Sequence, residues 1–143
     1  MPFIDMGKEF ANAKETPLAP EGQYDLICKE VEQNNEKGWI RVQIAFDGNE
    51  DYAPFGHFLS LPDKEKDAAK DQEKDREVGT TSKFKMLMIK RFLKAFSVPM
   101  DKNGFDPNDI PGSTARLGVS TSVNEKTQQR NQQLNLPQLP EEG

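Results

Sequence analysis

The chain has 143 residues, 34% hydrophobic and 30% charged, enough for one domain with a modest core and hardly two. A net charge of −5 argues against a plain basic nucleic-acid binder, although binding depends on where charges sit rather than on their sum. No apolar run is long enough for a membrane span, the N-terminus lacks a secretion-signal layout, and a single cysteine excludes an internal disulfide.

Residues 1–20, with Pro17 and Pro20, read as an irregular lead-in. Residues 23–31 predict a first strand, with Tyr24, Leu26 and Cys28 on one face and Ile27 and Val31 on the other. Cys28 reads as a small core residue in a reducing compartment rather than as a nucleophile. After a polar turn at 34–38, residues 39–46 give the clearest strand. Ile40, Val42, Ile44 and Phe46 alternate with Trp39, Arg41 and Gln43, the pattern of one buried and one solvated face. The acidic turn 47–51 lacks the spacing of a calcium loop and reads as a plain turn. FGHFLSL, residues 55–61, predicts a third strand with Phe58 in the core.

Residues 63–77 hold seven acids and five bases with no core-forming stripe. They read either as a mobile excursion or as a solvent-exposed helix laced with charge pairs. Thr80, Thr81 and Ser82 are cap candidates for the one strong helix, SKFKMLMIKRFLKAF. Its Phe84, Leu87, Met88, Phe92, Ala95 and Phe96 are expected to bury one broad face, and Val98-Pro99 ends it. Residues 114–123 predict a fourth strand with Leu117, Val119, Thr121 and Val123 among its inward positions. Gln132, Leu134 and Leu136 predict a fifth.

Three strands, a helix and two strands is the order of an OB-fold, a five-stranded, partly open barrel. The expected architecture is therefore mainly β with one helix lying between strands three and four. A lead-in, 1–20, precedes an OB-fold-like domain, 21–140, which carries a charged insertion at 63–79 and is followed by an acidic tail, 141–143.

Catalysis finds little support. The single histidine, His57, lies in a strand between aromatic residues, where a structural or binding role is commoner than acid–base work. No Cys–His cluster, phosphate loop or nucleophile elbow is present, so no metal and no cofactor is expected. Binding is better served. Single strands are held by rings on which bases stack and by cations along the phosphates. Trp39, Arg41 and Gln43 share the outward face of the second strand, the usual platform of an OB-fold, with Tyr52 and Phe55 at the entry to the third. The competing reading has Trp39 capping the barrel end. Lys83, Lys90 and Lys94 fall in a narrow sector at about 100° per residue, with Arg91 beside them. Arg116 points outward from strand four and Arg130 lies at the following turn. A solvated polar face is the plainer account of such lysines.

The runs PEGQYDLICKEVE, DYAPFGHFLSLPD, KFKMLMIKRFLKAFSVP and FDPNDIPGSTARLGVSTSVNEKTQQRNQQLNLPQL are similar to small conserved proteins of tailed bacteriophages. The family resembled is of the single-stranded-DNA-binding type, encoded among replication and recombination genes. The chain departs from that pattern in the length of 63–77 and in the lack of an aromatic tip on its acidic end. The resemblance implies a non-catalytic protein in the cytoplasm of an infected bacterial host. Its partners would be single-stranded DNA and phage replication or recombination proteins, with no membrane and with homo-oligomerisation left open. The alternative is a protein-interaction or assembly module, such as a recombinase accessory factor or a virion component.

Overall fold

The fold was analysed from a computed structural model, which describes residues 2–13, 18–49, 51–128 and 130–139. The acidic tail 141–143, and Glu50 in the acidic turn, lie outside the described residues. One antiparallel sheet holds β1 (Gly22–Asn34), β2 (Trp39–Phe46), β3 (Phe55–Ser60), β4 (Thr114–Val123) and β5 (Arg130–Asn135). The strand order is β3-β2-β1-β4-β5. The helices α1 (Lys64–Glu73) and α2 (Thr80–Ala95) both lie between β3 and β4 in the chain.

The central strand β1 serves two partners with its two halves. Gly22 to Ile27 pairs with β4, and Leu26 to Asn34 pairs with β2. A bulge between Cys28 and Glu30 marks the handover. An extra residue in one strand shifts the period-2 alternation by one. Val31 therefore stands opposite Val42 and packs on the core, not on the outer face that uninterrupted alternation predicts. The edges β3 and β5 are four steps apart in the sheet, roughly 19 Å if it lay flat. Some of their Cα atoms approach within 8 Å, so the sheet is strongly rolled. No ladder joins the two edges, and the barrel expected from the sequence is not closed.

The concave side holds the core. Ile40, Val42, Ile44 and Phe46 are all buried, as the alternation of β2 demands, and Phe92 of α2 and Phe96 at its C-cap pack there with ring centroids 4.8 Å apart. Burial of each such ring contributes about 1.5–3 kcal/mol. The buried stripe of α2 is Ser82, Ile89, Phe92 and Leu93, continued by Phe96. Phe84 and Leu87, expected inside, are exposed, and Val123 is exposed where β4 runs past the core.

The α-helix count among the described residues also differs from expectation: two, not one. No apolar side chain of α1 is buried. Its buried residues are Asp67 and Asp71, one turn apart. Asp67 accepts from Ser82 Oγ and Lys85 Nζ, each at 2.7 Å, and from the backbone N–H of Asp63 at 3.0 Å. Asp71 accepts from Thr81 Oγ1 at 2.6 Å and from the N–H groups of Gly79 and Thr81. Those are donors of the first turn of α2, so Asp71 caps it from another helix. The N-cap, Gly79, has φ 103° and no side chain with which to do so. Asp63 caps α1 itself, accepting from the N–H groups of Glu65 and Lys66. Burial opposes the charge on Asp67, but the bonds from Lys85, Asp63 and Ser82 outweigh it and hold the carboxyl at about 2. The hydrogen bonds from Thr81 likewise hold the Asp71 carboxyl below its ordinary range. Hydrogen-bonded carboxylates, more than apolar contact, join α1 to α2.

Candidate nucleic-acid interface

Directly paired residues of an antiparallel ladder share a face. The β2–β3 register sets Trp39 against Ser60, Arg41 against Phe58 and Gln43 against Gly56. All of these point away from the core that Ile40 and Leu59 fill. Phe58 is 54% exposed, contrary to its expected place in the core. Its ring meets Trp39 edge to face, with centroids 5.2 Å apart and planes at 87°. Such a contact holds the indole at a fixed tilt and leaves ring faces free for another π-system.

Arg41 completes this outer face. A Cβ at Gly56 would lie 2.8 Å from Arg41 Nε and 3.2 Å from its Nη2, so the guanidinium lies directly over the glycine. Among the described residues it has no carboxylate within 4 Å. A flat guanidinium without an ion pair, on the face that also carries Trp39 and Phe58, can stack on bases and neutralise phosphate. Gln43 sits further along β2, over a shallow hollow bordered by Lys29 of the bulge.

The remaining predicted residues are dispersed. The rings of Tyr52 and Phe55 lie 5.5 and 5.8 Å from that of Phe46, in an aromatic cluster packed against the core and not beside Trp39. Lys83, Lys90 and Lys94 form an exposed stripe on α2, and Lys83 and Lys90 border separate hollows. Arg91 is half-buried and donates from Nη1 to Met88 Sδ at 3.8 Å. Arg116 pairs with Asp25 across the β1–β4 ladder at 3.3 Å, with both side chains mostly exposed. Arg130 is exposed at the start of β5, opposite Val123.

The structure also brings forward residues that the sequence reading passed over. A cleft of about 560 Å³ runs between β3 and the two helices, lined by Phe58 and Phe84 and by Lys70, Lys74, Arg76 and Lys85. Phe84 is 61% exposed. At its base His57 stacks on Phe92, with planes 8° apart and centroids 5.1 Å apart. Burial pushes the imidazole down to about 4, so it is neutral at physiological pH. Burial also pushes the Cys28 thiol up to about 12, which leaves it unreactive.

Among the described residues no group of three or more His, Cys, Asp or Glu side chains gathers to hold a metal. No described helix is long and apolar enough to cross a membrane. No protein-family model, curated protein or solved structure matches the chain.

Proposed function

We propose that this chain is a non-catalytic single-stranded-DNA-binding protein of phage replication or recombination, acting in the host cytoplasm. The observation that carries the reading is the outer face of β2 and β3, where Trp39 and Phe58 hold each other edge to face beside Arg41 lying over Gly56. A base stacked on such a ring contributes about 1–3 kcal/mol, whatever the sequence, because every base has a π-face. The strand order supports an open OB-like barrel, with β1 shared between β2 and β4 and with β3 and β5 drawn together. In that fold the face of strands two and three is where oligonucleotides lie. The phage assignment rests on the likeness of the four sequence runs.

Fluorescence anisotropy of a labelled oligo-dT tests the reading. Binding is expected to weaken steeply with salt, and Trp39→Ala combined with Arg41→Ala is expected to weaken it by about tenfold or more. Undiminished binding by the double variant removes this face as the site. A protein-interaction module remains the second reading, favoured by the exposure of Phe3, Ile4, Met6 and Phe10 near the N-terminus. A single-stranded-DNA column that fails to retain the protein at low salt would decide for it.

A further inference from the structure

The outer face has unlike neighbours on its two sides. Towards β1 it meets Glu32, directly opposite Arg41, and Glu30, directly opposite Gln43. Two carboxylates there repel a phosphate chain. Towards β3 it leads into the cleft against the helices, whose lining carries four cations and no carboxylate among the described residues. Phe58 belongs to both surfaces, as neighbour of Trp39 and as cleft wall.

Two of the four cations are answered from behind. Lys85 reaches Asp67 at 2.7 Å and Arg76 lies 3.5 Å from Asp71. Lys70 and Lys74, one turn apart on α1 and at its C-cap, are exposed and form no ion pair among the described residues. Buried carboxylates thus fix the position of α1, and of its unpaired lysines Lys70 and Lys74 face the cleft. The volume, about 560 Å³, is that of a small-molecule site and suits one nucleotide, not a folded peptide or a duplex.

We infer that the cleft between β3 and the α1–α2 hairpin is a second subsite for single-stranded nucleic acid. It takes the nucleotide beyond the Trp39 platform, with the base against Phe84 and Phe58 and the flanking phosphates on Lys70 and Lys74. The inference rests on the single-strand-binding reading and adds a path: the strand crosses the sheet from Trp39 over Phe58 towards α1, away from Glu30 and Glu32.

The test is the salt dependence of oligo-dT binding, read by anisotropy together with Trp39 fluorescence. Removing two phosphate contacts lowers the slope of log K against log salt by roughly 1.4. Lys70→Ala/Lys74→Ala is expected to show that drop while keeping the Trp39 response at saturation. Lys64→Ala/Lys66→Ala, which takes the same charge from elsewhere on α1, is expected to keep the wild-type slope. Phe84→Ala, an exposed position, is expected to weaken binding roughly 5- to 150-fold with the slope unchanged. Binding with an unchanged slope in Lys70→Ala/Lys74→Ala overturns the cleft and leaves the Trp39 platform standing. Equal slope losses in the two lysine pairs also overturn it, by reducing the effect to net charge. Competition by poly-glutamate as effective as by oligo-dT of equal charge would reassign the cleft to acidic peptides. A wild-type protein that binds no oligo-dT overturns both the cleft and the reading beneath it.

Discussion

His57 has its ring stacked on Phe92, on the core side of β3, and burial brings its pKa from 6.5 to about 4. The unfolded chain, with the ordinary value, takes up a proton that the folded chain resists. Stability therefore falls as pH drops from 6.5 towards 4, by up to about 2 kcal/mol between pH 6.5 and pH 5. Thermal unfolding followed across that range is expected to show this slope, and His57→Phe, which keeps a ring on Phe92, is expected to flatten it. An equal slope in the variant would assign it to other groups. At the same scale, Gly56 matters for what it lacks, since any side chain there meets the Arg41 guanidinium.

At the scale of elements, α1 and its attachment to α2 make the cleft. The Asp67 carboxyl is held at about 2, against 3.8 unperturbed, so its contribution is present above 3.8 and lost as pH falls through about 2. Asp67→Asn is expected to lower the melting temperature at pH 7 by on the order of 5 °C, with the gap to wild type narrowing towards pH 2. A constant gap would mean that the carboxylate charge is not what joins the helices. The elements differ in how legible they were. The alternation of β2 named its core and its solvated face correctly, because nothing interrupts that strand. In β1 the bulge after Cys28 moved Val31 inward, and no residue type announces a bulge of this kind. Phe58 misled through its hydrophobicity, although alternation from Leu59 places it outside. The segment 63–77 resisted reading because its adhesion to α2 is polar. Asp67 and Asp71 recur at helical spacing, but their partners Thr81, Ser82 and Lys85 lie 10 to 18 residues away. Periodic apolar patterning carries no trace of such a contact.

For the molecule as a whole, a net charge of −5 is reconciled with an anionic ligand by segregation. Glu30 and Glu32 sit on β1 beside the outer face and Asp67 and Asp71 are buried between the helices, while Arg41, Lys70 and Lys74 form no ion pair among the described residues. The candidate site was legible in part. Trp39, Arg41 and Gln43 followed from the period of one strand, whereas Phe58, Phe84, Lys70 and Lys74 come together only because the chain folds a helical hairpin against the edge of the sheet. Of the predicted basic face of α2, Lys83, Lys90 and Lys94 form an exposed stripe and Arg91 is half-buried. The most direct measurement is a titration of the protein with unlabelled oligo-dT, followed by its own fluorescence. Trp39 is the only tryptophan in the chain, so the signal reports on the outer face of β2 and β3 alone. Saturable, salt-sensitive quenching is the expected result. Fluorescence that stays constant while the oligonucleotide binds, or no binding even at low salt, would contradict the assignment of that face to single-stranded DNA.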